Sequence, residues 1–219
     1  MPPTSPPGAL IFDWDGTLIS SGNLIFHCLK ETLNYMGSTE PLKELPAIST
    51  KDFFALHFQG RSPEAERYYY ALIRSQHLEH LVQQEGAIEL LSFLKEQQIP
   101  LFILSNKRGE LLRQEVQQLG WGGFFENVVG SCDAPRDKPS SLAVDFTLKT
   151  SSLVAGPEIW FVGDTSVDME CALQSGCTPV LIANNSLEMG NFSIFPPKIK
   201  TKNCLDLKNI LHRVLCKKE

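Results

Sequence analysis

Six cysteines in 219 residues are too few for a disulfide scaffold, which carries roughly 8–10% Cys. Cys28, Cys132, Cys171, Cys177, Cys204 and Cys216 show no C-x-x-C spacing, so they read as reduced, mostly buried thiols of a cytoplasmic protein. Long apolar runs are missing too. Ala9–Phe12 and Leu101–Leu104 fall far short of the roughly 18 residues that a bilayer span needs. The opening MPPTSPPG has neither a basic nor an apolar region, and residues 1–8 read as a flexible lead-in rather than a secretory signal. Basic charge is scarce: 20 Lys and Arg face 25 Asp and Glu, for a net charge of −5. The densest basic stretch, KIKTK at 198–202, lacks interleaved aromatics and reads as a solvated face. Nucleic-acid and membrane partners are thereby excluded as expectations. Five histidines form no cluster; His77 and His80 lie three apart but lack a third ligand.

What remains is an ordinary globular composition with 42% hydrophobic residues. At about 150 residues per domain, the length predicts one large domain, or one carrying a smaller insert. Short apolar runs mark buried strands at Ala9–Phe12, Leu101–Leu104, Val128–Val129, Ile159–Val162 and Val180–Ala183. Helical periods separate them: Ala87–Gln98, Glu110–Leu119, Ser140–Thr150 after Pro139, and Val167–Ser175. Leu205–Leu215 closes the chain. This alternation predicts an α/β doubly wound, mostly parallel, Rossmann-like sheet. From Ser20 to Glu85 no strand interrupts three helical patterns, Asn23–Met36, Thr50–Phe58 and Pro63–Gln84. Residues 20–85 therefore read as a small α-helical domain inserted into a core of 9–19 and 86–219. Within the insert, Tyr68-Tyr69-Tyr70 reads as packing; in the core, Cys171 and Cys177 read as apolar filling.

In an open α/β sheet, ligands bind outside the carboxyl ends of the strands. The first strand is followed by Asp13-Trp14-Asp15-Gly16-Thr17, the second by Ser105-Asn106-Lys107, and the fourth by Gly163-Asp164-Thr165-Ser166-Val167-Asp168. Residues two apart on a strand share a face, so Asp13 and Asp15 point one way and Trp14 the other. Each element taken singly has a plain structural explanation: a turn at Asp-Gly, helix-start carboxylates at Asp164 and Asp168, a cap at Ser105-Asn106, a solvated Lys138. Their conjunction, in order, at the ends of separate strands does not.

Over residues 9–185 the chain resembles the haloacid dehalogenase superfamily, in its phosphatase branch related to phosphoglycolate phosphatase. The motifs that carry the resemblance are D-x-D-G-T at Asp13–Thr17, the apolar strand ending in Ser105, Lys138 before Pro139, and G-D-x-x-x-D at Gly163–Asp168. The helical insert matches that family's cap. The resemblance implies a Mg²⁺-dependent phosphatase acting on a small phosphorylated metabolite. Asp13 and Asp164 suit a hard cation. Asp13 is then the nucleophile that forms an aspartyl-phosphate, and Asp15 is the general acid and base, with its backbone carbonyl also on the metal. Thr17, Ser105 and Asn106 bind phosphoryl oxygens, and Lys138 balances transition-state charge. Asp168, also in the metal set, either holds a metal-bound water or orients Lys138. Arg61, between two predicted cap helices, is the candidate clamp for a substrate carboxylate. Asp15 argues against the metal-free dehalogenase branch. A phosphomutase and a catalytically idle regulatory protein on the same fold are the alternatives. The chain departs from the phosphoglycolate phosphatase pattern in Leu18-Ile19-Ser20-Ser21, which lacks an acid after the first motif, and in Glu85-Gly86, which lacks a Pro.

Overall fold

Runs of four or five apolar residues are stable as strands only where both faces are covered. Ala9–Phe12 forms β1 with every residue at 0% exposure. The computed structural model describes residues 5–46, 50–183 and 192–215. After β1 come α1 (Gly22–Tyr35), α2 (Thr50–His57) and α3 (Ser62–Gln76), then α4 (Ala87–Glu96), β2 (Leu101–Arg108) and α5 (Gly109–Gln118). A short 3-10 turn, Trp121–Phe124, leads to β3 (Asn127–Ser131), α6 (Ser141–Leu148), β4 (Ile159–Gly163), α7 (Ser166–Gln174), β5 (Thr178–Ile182), β6 (Ile199–Thr201) and α8 (Cys204–Leu215). The six strands lie in the order β3-β2-β1-β4-β5-β6, and every neighbouring pair is parallel. This is the expected doubly wound sheet.

The sixth strand was not among those expected. It runs through KIKTK, where Lys198, Lys200 and Lys202 are exposed while Ile199 and Thr201 are buried. The lysines are the solvated face predicted for them, and they conceal a period of two. Ser105, Asn106 and Lys107, expected after a strand, continue β2, whose pairing with β3 shifts register between Leu104 and Arg108. Pro139 does not begin α6. It precedes the cap Ser140, whose hydroxyl accepts the Leu142 N–H.

One face of the sheet carries Ala9, Ile11, Phe102, Leu104, Ile159 and Phe161. These pack with Ala143, Val144 and Leu148 of α6 and with Cys171 and Ala172 of α7. Alternation along the strands turns Leu10, Phe12, Ile103 and Val162 to the other face. Cys171 and Cys177 are apolar filling in this core, and Cys28 and Cys204 are also buried; Cys132 is exposed, and Cys216 lies outside the described residues. No helix among the described residues is long and apolar enough to cross a membrane.

The chain divides into two compact units, 1–20 with 83–219, and 21–82. In the smaller unit, α3 buries Ala65, Tyr69 and Ile73 along one stripe, and Tyr68 stacks on Tyr35 of α1 at 3.9 Å. The helix predicted to reach Gln84 stops at Gln76. Tertiary pairing overrides the local pattern there: Gln83 bridges Ile19, and the Gln84 N–H donates to the Leu18 carbonyl. Residues 83 and 84 thereby join the larger unit.

Phe102 is fully buried in the sheet's apolar face. Phe102→Ala is expected to cost about 3–5 kcal/mol. Urea unfolding would check this, with the midpoint falling and the slope unchanged.

Candidate active site

The topology brings the motifs together. The chain leaves β1 for β2 and β3 on one side, then returns for β4, β5 and β6 on the other, so strand order reverses between β1 and β4. A crevice opens at such a reversal. Phe12 is level with Ile103 of β2 and Val162 of β4. One step on, the Asp13 N–H donates to the Val162 carbonyl at 2.9 Å. Asp13, Ser105 and Asp164 therefore leave three adjacent strands at the same edge. Gly16 takes φ +83°, and a Cβ there would collide with the Asp164 carboxylate. Only glycine allows the turn after Asp15 to pass so close to the end of β4.

Lys138 binds the centre. Its Nζ lies 2.7 Å from Asp13 Oδ1 and 2.6 Å from Asp168 Oδ1, and all three residues are buried. The Thr165 N–H and hydroxyl both donate to Asp168 Oδ2, at 3.0 and 2.7 Å, which fixes that carboxylate at the start of α7. The helix-start reading of Asp168 and its contact with Lys138 thus hold together. The Thr17 hydroxyl donates to Asp164 Oδ1 at 3.1 Å. Asn106 grips the Lys138 backbone from both sides: its Oδ1 accepts the Lys138 N–H at 3.0 Å, and its Nδ2 donates to the Lys138 carbonyl at 3.1 Å. Ser105 is buried and accepts the Lys107 N–H, leaving its own proton to donate.

Carboxylate oxygens of Asp13, Asp164 and Asp168 lie within 4.8 Å of one another. Facing them, Lys138 supplies a single positive charge. Burial, opposed by Lys138 and reinforced by Asp168, pushes the Asp13 carboxyl up to about 6. Burial, then Asp168 and Asp13, holds Asp164 well above the usual carboxylate range. Burial would lower Lys138, but Asp13 and Asp168 outweigh it and hold the ammonium charged. Asp13 Oδ1 is buried and faces the Lys138 ammonium. Three carboxyl groups around that one ammonium leave an excess of negative charge, which a hard cation relieves. The cluster fits a divalent metal. Asp13 and Asp164 are the freer ligands, because both Asp168 oxygens already serve Lys138 and Thr165.

A family model described as haloacid dehalogenase-like hydrolase matches residues 10–182. The chain belongs to this family. Its similarities within the family include a phosphoglycolate phosphatase of Aquifex aeolicus, 31% identical, with 78% of this chain and 83% of that protein covered. The pyrophosphatase PpaX of Bacillus velezensis is 27% identical over 92% of this chain and 95% of its own. A crystal structure of a haloacid dehalogenase superfamily hydrolase from Ehrlichia chaffeensis superposes with a TM-score of 0.70 at 29% identity, covering 97% of this chain and all of that one.

Among the residues expected to act in this haloacid dehalogenase-like hydrolase, Lys138 joins Asp13 and Asp168, Thr17 bonds to Asp164, and the three carboxylates lie within 4.8 Å of one another, with Ser105 at the same sheet edge. Arg61 belongs to the other unit, where its Nε and Nη2 donate to the Glu64 carboxylate at 2.9 and 3.1 Å. Three further residues surround the first motif. Lys107 pairs with Asp15 and Glu115, and the Gln84 side chain donates to the Gly16 carbonyl at 2.9 Å. Glu115 had a signal: it sits among Leu111, Leu112 and Val116 on the apolar stripe of α5. Gln84 had none, because only tertiary pairing brings it there.

Between the ordinary value of 3.8 and about 6, the folded protein keeps a proton on Asp13 that the unfolded chain has released. Asp13 therefore contributes less stability as pH rises through this window. In chelator, the wild type is expected to lose stability relative to Asp13→Asn over that range, and a divalent cation should remove the difference in slope. Urea midpoints against pH measure it; parallel curves for the two proteins would refute the raised carboxyl.

Proposed function

We propose that this protein is a Mg²⁺-dependent phosphatase that hydrolyses a small phosphorylated metabolite through an aspartyl-phosphate on Asp13. The observation that carries the reading is the cluster of Asp13, Asp164 and Asp168 around Lys138 at the switch point of the sheet. Similarity to proteins named phosphoglycolate phosphatase and pyrophosphatase supports phosphoryl chemistry. Asp13, Asp164 and the Asp15 carbonyl would hold Mg²⁺, while Asp168 serves the site mainly by fixing Lys138. When bound, the cation supplies charge neutralisation at the phosphoryl oxygens.

The Asp13 carboxylate attacks phosphorus, and the bond from phosphorus to the leaving oxygen breaks in line with it. Asp15 gives its proton to that oxygen. Asp15, now ionised, takes a proton from water as the water oxygen attacks the phosphoryl group. The bond between phosphorus and Asp13 then breaks, which releases phosphate and restores both carboxyl groups. The Ser105 hydroxyl donates to a phosphoryl oxygen, and Lys138 offsets the charge that builds on the phosphoryl group. Asn106 contributes by holding the Lys138 backbone in register, and Thr17 by aiming Asp164. Substrate selection beyond the phosphate falls to groups outside this set. Arg61 acts in it only by exchanging Glu64 for a substrate carboxylate, an exchange that an exposed ion pair opposes weakly.

Asp13→Asn is nearly isosteric and cannot accept a phosphoryl group. It is expected to cut phosphate release from 2-phosphoglycolate, pyrophosphate or p-nitrophenyl phosphate by more than about 1000-fold while leaving the circular dichroism spectrum unchanged. Chelation should silence the wild type, and Mg²⁺ should restore it. Turnover by the folded variant, or full activity in chelator with metal absent by elemental analysis, would overturn the mechanism. Arg61→Ala should raise KM for 2-phosphoglycolate and leave p-nitrophenyl phosphate unaffected; equal effects on both substrates would remove Arg61 from substrate selection.

A further inference from the structure

Behind Asp15 stands a second set of charges. Lys107 Nζ lies 2.9 Å from Asp15 Oδ1 and 2.8 Å from Glu115 Oε1. The Trp14 indole donates to Glu115 Oε2 at 2.6 Å. Trp14 is fully buried and packs edge-on against Trp121, with ring centroids 5.8 Å apart. The contacts close a ring: the peptide from Trp14 to Asp15, the Asp15 carboxylate, Lys107, Glu115, and back to the Trp14 indole. Glu115 is 1% exposed on the apolar stripe of α5, where a Leu or Met would be the stabilising choice. A carboxylate retained there in spite of its desolvation is explained by what it holds.

Asp15 needs holding. The Asp13 backbone is tied to β4, but Asp15 lies two residues further on, in a turn closed by the Leu18 and Ile19 N–H groups on the Trp14 carbonyl. Its side chain is part-exposed and free to rotate unless something fixes it. Lys107 contacts one carboxyl oxygen, Oδ1, and leaves Oδ2 for proton transfer.

We propose that Lys107, anchored by Glu115, is a positioning residue that holds the Asp15 carboxyl group toward the leaving oxygen of the substrate. The inference rests on the reading of Asp15 as proton donor. The Lys107 ammonium pairs with Asp15 and Glu115, and it acts through Asp15 alone. Its loss should matter most when the leaving oxygen most needs a proton.

A series of aryl phosphates from 2,4-dinitrophenyl to phenyl phosphate, with Mg²⁺ present, makes the test. Wild-type kcat/KM should depend weakly on leaving-group basicity. Lys107→Met should lose about 100-fold on phenyl phosphate, the scale of general acid catalysis, and under about 5-fold on 2,4-dinitrophenyl phosphate. Inhibition by inorganic phosphate should stay unchanged. The single variant strands the Glu115 charge, so Lys107→Met with Glu115→Gln, which keeps an acceptor for Trp14, serves as the folding control. It should melt near the wild-type temperature and still show the steep dependence. Losses that are equal across the series, or absent in a folded protein, would overturn the positioning role. Asp15→Asn separates the two readings. If it steepens the dependence and Lys107→Met does not, only the positioning role falls; if Asp15→Asn leaves the dependence at its wild-type slope, the proton-donor reading falls and takes this one with it.

Discussion

The site depends on gathering three carboxyl groups, two buried and one half-buried, around one ammonium. Asp13 and Asp168 both contact Lys138, and Asp164 lies beside them, its Oδ1 accepting from the Thr17 hydroxyl. In water these charges would separate. Here the strand ends fix them, and the cost appears as carboxyl groups held above their ordinary range. Such a cluster makes poor sense as a stabilising device, since one cation cannot compensate three carboxylates in a low-dielectric setting. It makes sense as a receptor for further positive charge. The raised Asp13 and Asp164 carboxyl groups take up protons more readily than free ones, and a cation would compete with those protons for the same oxygens.

The apolar sheet makes this tolerable. β1 and β4 are buried along their whole length, and their register sets Asp13 beside the end of β4. Positions this closely fixed leave no room for extra atoms. At Gly163, as at Gly16, a Cβ would run into a catalytic-edge carboxylate, in this case Asp168. The glycines of the motifs are therefore spatial requirements of the acid cluster, as much as turn formers.

Much of this was legible in the residue order. Fully apolar quartets stand three times over in front of polar groups of catalytic type, so the parallel sheet, the helical insert and the meeting of Asp13, Ser105 and Asp164 could be read directly, while Lys138 entered through the family resemblance. β6 escaped because alternating lysines lower the apolarity of a three-residue strand whose inward side is only Ile199 and Thr201. The end of α3 escaped because nothing local stops it; Gln83 leaves the helical path to pair with Ile19. Asn106 was assigned to phosphate because a polar residue after a strand end suggests a ligand contact, yet its amide is engaged on both sides by the Lys138 backbone. Only the folded chain shows which of two polar neighbours a short amide will choose.

Lys107 and Glu115 mark the boundary between what strands can position and what they cannot. Asp13 and Asp164 inherit their places from β1 and β4 and need little help from side chains. Asp15 stands beyond the ladder, in a turn whose hydrogen bonds constrain its backbone and leave its carboxyl group to rotate. On the proposed mechanism Asp15 first donates a proton and then accepts one, which requires direction, and direction at that distance from the sheet must come from side chains. The salt bridge to Lys107 provides it, the buried Glu115 fixes Lys107, and Trp14 ties Glu115 to the same turn that carries Asp15. The residue between the two motif aspartates thus anchors the far end of the ring, and Trp14 links α5 to the turn that carries its own neighbour.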